Sequence, residues 1–330
     1  MNLINQPFLL KPAAKDYLWG GNRINDDFGK GIDVFPLAET WECSTHPDGV
    51  SVAASGFFNG RKLDEILYLH PEFLGSHASN IASGKLPIMI KLIDAKSDLS
   101  VQVHPDDEYA LKHENSLGKT EMWYVLSARK DSQLVYGFKR DMNEERIRKD
   151  IEDQTIIEDL NMVKVEKDDI FFIEPGIVHA IGAGTLIAEI QENSNITYRL
   201  YDYNRIDKNG KKRELHIDKA MDVIQMKASD DPRQPMRTLH YKNGYASELL
   251  SRCRYFQVER VLLNTEAHRK LCDYHSDDNS FHVLLCINGC GSIITSKETI
   301  NFFKGDCIFV PANSVEMKLH GKAQFLDVSC

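Results

Sequence analysis

The sequence has no CxxC pair and no run of about 18 consecutive apolar residues. The second absence excludes a membrane-spanning helix of ordinary length. The seven cysteines (Cys43, Cys253, Cys272, Cys286, Cys290, Cys307 and Cys330) are odd in number and unclustered, which argues against a disulfide framework or a zinc knuckle. Cys286 in HVLLCIN and Cys307 in DCIFV sit in apolar stretches and read as small core residues. A reducing, cytoplasmic setting is therefore expected. An excess of positive charge is also missing: 40 Lys and Arg against 49 Asp and Glu give a formal charge of −9. That balance excludes a general nucleic-acid or membrane-surface binder. It leaves an anionic small substrate open, because a few local cations can dominate one cleft. The opening residues, MNLINQPFLLKPAAKDYLWGG, lack a basic-then-apolar leader, so none is expected.

What the chain does have is a succession of short strand-like stretches. They include LPIMIKLIDA (86–95), LSVQVH (99–104), MWYVLSA (122–128), DIFFIEP (169–175), TLIAEIQE (185–192), FHVLLCING (281–289) and DCIFVP (306–311). Gly, Pro, Asn and Asp punctuate them at short intervals, the pattern of a β-sandwich or barrel. Helical spacing appears only over 61–69, 143–153 and 216–226. The polar, proline-containing stretch 229–245 reads as a linker. The expected fold is all-β dominated, with two barrels and a few short helices: residues 1–235 form the first domain and 236–330 the second. A weak repeat supports two related barrels, since KDDIFFIEPGIVHAI (167–181) matches KGDCIFVPANSVEMK (304–318), and MWYVLSA matches HVLLCIN. His179 ends the first copy, whereas Glu316 stands near that place in the second.

Three segments carry the chemistry. In LSVQVHPDD, strand alternation puts Ser100, Gln102 and His104 on one face. In GKTEMWYVL, Lys119, Glu121, Trp123 and Val125 share a face, and a carboxylate opening an apolar strand needs compensation if buried. In EPGIVHAIGAG, Pro175-Gly176 turns the chain ahead of His179. Gln102, His104, Glu121 and His179 together offer two nitrogens and two oxygens. That set suits zinc, with nickel, cobalt, iron(II) or manganese also compatible on ligand type. Two His and one carboxylate also serve non-haem iron oxygenases, so the ligands alone do not fix the reaction. Arg199 follows the strand after His179 and suits bidentate contact with phosphate, Lys119 is a mobile point charge, and Ser100 is a hydroxyl donor.

These segments resemble the type I mannose-6-phosphate isomerases (phosphomannose isomerases) in their short bacterial form. The resemblance runs through YLWGG (17–21), AETWECSTHPDGVS (38–51), KLIDAKSDLSVQVHPDDEYA (91–110), KTEMWYVL (119–126), PGIVHAI (175–181) and NSNITYRLYDY (193–203). It implies two cupin (jelly-roll) barrels, the C-terminal one metal-free, and one Zn2+ per chain held by Gln102, His104, Glu121 and His179. It also implies Arg199 and Lys119 as catalytic residues, and Ser100, Lys119 and Arg199 as contacts to a small phosphosugar. The implied activity interconverts mannose 6-phosphate and fructose 6-phosphate through a cis-enediol. Lys119 is a candidate proton carrier, with Glu42 and Asp202 as weaker ones. His275 and His282 read as ordinary strand-end residues. A monomer or weak homodimer is expected. The competing readings are a non-catalytic sugar-binding cupin paralogue or a different metal-dependent cupin enzyme.

Overall fold

The computed structural model describes residues 4–206, 210–230, 232, 237–268 and 270–330. Three antiparallel sheets make up the molecule. The six-stranded sheet runs in spatial order Ile170–Ile173, Glu121–Ala128, Thr185–Glu192, Ile88–Ala95, Glu39–Cys43 and Ala13–Lys15. The five-stranded sheet runs Tyr198–Tyr201, Val101–Val103, His179–Ile181, Gln133–Phe138 and Leu160–Lys164. These two face each other and form the N-terminal barrel. A ten-stranded sheet, including Gln257–Asn264, His282–Ile294, Cys307–Val310 and Met317–Ser329, curls into the C-terminal barrel. Among the described residues the sheets leave open seams rather than closing into rings.

The six-stranded sheet is buried on both sides, which is why its strands read as continuous apolar runs instead of alternating ones. Met122, Tyr124, Leu126, Ile88, Ile90 and Leu92 face a large core shared with the C-terminal sheet. Trp123, Val125, Ile93 and Ile187 face the interior of the N-terminal barrel. Outside the five-stranded sheet, helices Glu144–Glu152 and Ile217–Val223 cover a third core through Ile147, Ile151, Ala220 and Met221. Helix Glu144–Glu152 starts at Asn143, whose side chain accepts from the Arg146 amide.

The three helical expectations fall on Leu63–Leu69, Glu144–Glu152 and Ile217–Val223. The repeat also has a structural counterpart. Glu121–Ala128 pairs with Ile170–Ile173, and His282–Ile294 pairs with Cys307–Val310, both antiparallel. The expected linker differs from what is seen. Its residues 231 and 233–236 lie outside the described set, but His240–Lys242 is a strand paired with Tyr245–Arg252. Asn243-Gly244 makes the two-residue turn between them, with Gly244 at φ 88°, a conformation glycine adopts without strain.

The N-terminal strand Phe8–Lys11 does not join the sheets of its own half. It lies in the C-terminal sheet, between Cys307–Val310 and the edge strand Val52–Ala53. Phe8 stacks on Phe309 at 5.3 Å between centroids, and Phe309 stacks on Phe281 at 5.4 Å, with all three rings buried. Phe309→Ala should therefore destabilise the protein by about 3–5 kcal/mol in chemical denaturation.

Candidate active site

The five-stranded sheet sets the first row of the site. Arg199, Gln102 and His179 are direct cross-strand neighbours on three adjacent strands, so their side chains share one face. The Pro175-Gly176 turn brings His179 back beside His104: the Gly176 amide donates to the His104 carbonyl at 2.9 Å. Gly176 sits at φ 86°, and a Cβ there would lie 2.7 Å from the Val223 carbonyl oxygen. Opposite, the six-stranded sheet presents Glu121 at the start of its strand and a cross-strand row of Trp123, Glu189, Lys91 and Trp41.

Three donors converge between the layers. His104 Nε2 lies 3.0 Å from His179 Nε2. Glu121 Oε1 is 3.2 Å from His179 Nε2, and Oε2 is 3.8 Å from His104 Nε2. All three residues are buried. His179 Nδ1 donates to the Ile177 carbonyl at 2.8 Å, which leaves the Nε2 lone pair aimed inward. Gln102 completes the set, with its amide nitrogen 3.4 Å from His179 Nε2. Rotation of that amide exchanges its nitrogen and oxygen, so either atom can point at the cluster.

This arrangement fits a divalent cation. Two imidazole nitrogens face each other, and neither Glu121 oxygen has a hydrogen-bond donor of good geometry. Lys119 Nζ only borders the group, 3.0 Å from Glu121 Oε2 and 3.1 Å from His104 Nε2. Burial drives the protonation of the cluster. It holds His179 down at about 4 and, with the nearby Lys119 charge, pushes His104 well below its usual range. Both rings are thus neutral near pH 7, the form that binds metal. Burial also pushes the Glu121 carboxyl upward, against the pull of Lys119.

A cavity of about 250 Å³ opens beside the donors, lined among others by Ser100, Gln102, Lys119, Glu189, Arg199 and Arg213. The Arg199 guanidinium lies 3.3 Å from Ser100 Oγ and donates to the Glu214 carbonyl at 2.8 Å. Glu189 pairs with Lys91 at 3.0 Å and accepts from Trp123 Nε1 at 3.0 Å. Burial opposes its charge, but Lys91 and Lys119 prevail and hold its carboxyl down at about 2.

Sequence reasoning missed Glu189, Lys91 and Arg213. The first two carried the same signal as Glu121, an ionisable side chain inside an apolar strand. Arg213 carried none. Of the weaker proton-carrier candidates, Glu42 is tied to Lys30 at 2.6 Å and Thr40 at 2.6 Å and does not line the cavity. Asp202 instead pairs with Arg213 and Arg205. In the C-terminal barrel, Glu316 and His275 are exposed, and His282 is paired with Asp327 at 2.7 Å. Among the described residues, only His104, Glu121 and His179 gather as three metal-type donors.

Comparison with known proteins agrees over the whole chain. Residues 8–128 match the family model for the phosphomannose isomerase type I catalytic domain, and residues 246–329 match that for the mannose-6-phosphate isomerase cupin domain. The mannose-6-phosphate isomerase ManA of Bacillus subtilis is 37% identical over 98% of this chain and 98% of its own. The crystal structure of the mannose 6-phosphate isomerase from Bacillus subtilis superposes with a TM-score of 0.88 at 31% identity, covering 98% of this chain and 99% of that one. A zinc-bound mannose 6-phosphate isomerase shares the fold at a TM-score of 0.76 and 15% identity, covering 98% and 99% of the two chains.

The depressed histidines make metal retention and stability pH-dependent. As the pH falls from 6.5 towards 4, the unfolded chain takes up protons that folded His179 refuses. The metal-free protein should lose stability across that window, and the metal-loaded protein should release its ion, both read by thermal melts and metal analysis. His179→Ala should lower the bound divalent metal roughly tenfold or more at neutral pH.

Proposed function

The chain belongs to the type I mannose-6-phosphate isomerase family, and from that membership we propose that it interconverts mannose 6-phosphate and fructose 6-phosphate with one zinc ion held by Gln102, His104, Glu121 and His179. The observation that carries the reading is the meeting of three buried donors from separate strands beside a cation-lined cavity. An aldose–ketose isomerase moves a hydrogen between C1 and C2 and a proton between O1 and O2 of the open sugar. Bound at these donors, zinc supplies Lewis-acid polarisation and a fixed template for the sugar oxygens.

The chain's own residues supply the rest. Arg199 stabilises the charge that develops on the cis-enediol oxygens and orients the sugar. Lys119, buried at the edge of the donor set, carries the proton. Ser100 and the neighbouring cations receive the phosphate, whose binding energy holds the reacting carbons in place. The Glu189–Lys91 pair lines the cavity, with Trp123 Nε1 donating to Glu189 from behind, and Trp19, Ile93 and Leu99 restrict water. The same proposal takes residues 1–235 as the catalytic domain and 236–330 as a metal-free cupin. It takes the chain to act in the cytoplasm as a monomer or weak homodimer. Support comes from seven free cysteines and from a donor set and cavity built by one chain. No helix among the described residues is long and apolar enough to cross a membrane.

Chelation should abolish turnover of mannose 6-phosphate in a coupled assay, and added zinc should restore it; full activity in a metal-stripped sample overturns the proposal. Arg199→Ala should lower kcat by about 10²–10³-fold while leaving the metal content near that of the parent protein.

A further inference from the structure

Lys119 is carried by a three-residue segment, Gly118–Thr120, that lies just before the Glu121 strand and belongs to no sheet. Every amide in it is held from outside. Gly118 N donates to Asp107 Oδ1 at 2.9 Å, Lys119 N to the Pro105 carbonyl at 3.0 Å, and Thr120 N to Glu192 Oε1 at 2.7 Å. The preceding Leu117 carbonyl accepts from Ser194 Oγ at 2.9 Å. A Cβ on Gly118 would lie 2.5 Å from the backbone of Asp106 and Asp107, so the segment seats without a gap against the start of helix Asp107–Glu114.

Two of the holding groups are carboxyls side by side, and Glu192 Oε2 is buried without a donor. Burial, and then the charge of Asp107, push the Glu192 carboxyl up to about 8. The remaining oxygen of Asp107, Oδ2, accepts from the Tyr255 hydroxyl at 2.7 Å. Tyr255 sits in the turn between strands Tyr245–Arg252 and Gln257–Asn264 of the C-terminal barrel.

We infer that Tyr255, acting with Asp107 and Glu192, is a positioning residue by which the C-terminal barrel fixes Lys119 in the cavity of the N-terminal one. The Lys119 side chain is buried and its Nζ is tied at 3.0 Å to Glu121 Oε2 and 3.1 Å to His104 Nε2, so a shift of the backbone beneath it loosens or displaces those contacts. The inference rests on the reading of Lys119 as proton carrier, and its test separates the two.

Full-length Tyr255→Phe, Glu192→Gln and Glu192→Ala are compared in the parent and Lys119→Ala backgrounds for kcat, KM, bound zinc and melting temperature. Tyr255→Phe should lower kcat about fivefold with KM changed less than about twofold, since small misplacements of a reacting group cost rate more than affinity. Glu192→Gln keeps the Oε1 acceptor for Thr120 and should recover most of the turnover lost in Glu192→Ala. Both losses should vanish in the Lys119→Ala background, with zinc content unchanged throughout. Parent-like kcat in Tyr255→Phe, or an equal proportional loss in the Lys119→Ala background, overturns the inference while leaving Lys119 in its role. Undiminished turnover in Lys119→Ala itself overturns that role, and the inference with it.

Discussion

Desolvation of polar groups between two apolar sheets is the constraint from which the rest of the structure follows. His104, Glu121 and His179 lie where water does not reach, and an unpaired charge there is costly. The chain meets the cost in two ways. Neutral imidazoles and a carboxylate are brought close enough to share one cation, and nearby charges are matched one to one, as in Glu189 with Lys91. For ionic partners the donor triad, by contrast, has only its own members and Lys119, 3.0 Å from Glu121 Oε2, within reach. That is a poor arrangement for stability by itself and a good one for holding a metal.

The six-stranded sheet makes this possible because each of its strands does two jobs. Glu121, Trp123 and Val125 face the interior of the N-terminal barrel, while Met122, Tyr124 and Leu126 lock the same strand to the C-terminal barrel. The Tyr124 hydroxyl is held further by Asp168 at 2.5 Å, Gln324 at 3.2 Å and Arg260 at 3.3 Å. The metal-side face thus rests on a backing that spans both halves of the chain. The C-terminal barrel gathers no donor triad of its own among the described residues, but it stiffens the wall that carries one.

Much of this was legible in the sequence, for definable reasons. Period-two alternation in VQVH placed Gln102 and His104 on one face, and the Pro-Gly turn announced the return that brings His179 alongside. The three amphipathic helices showed through their apolar spacing. Three kinds of information stayed hidden. The short helices Arg23–Phe28 and Ser76–Ile81 are too brief for a period to emerge. The Asn243-Gly244 hairpin was masked by the polar residues around it. Arg213 and Tyr255 reach their places only through tertiary packing, which local patterns do not encode. Lys91 and Glu189 were readable in principle, because a charged residue in the middle of an apolar strand calls for a buried partner.

The strand Phe8–Lys11 has a consequence for how the molecule is made. Its partner, Cys307–Val310, leaves the ribosome 299 residues after Phe8 (307 − 8). At about 5–20 residues per second, that interval is roughly 15–60 s. Throughout it, the strand has Val52–Ala53 on one side, while the edge that Cys307–Val310 will occupy stays open to wrong pairing and to chaperones. Completion of the ten-stranded sheet is therefore gated by the synthesis of Cys307–Val310, and a ribosome stalled before that point carries a chain in which Phe8–Lys11 is held on one edge only.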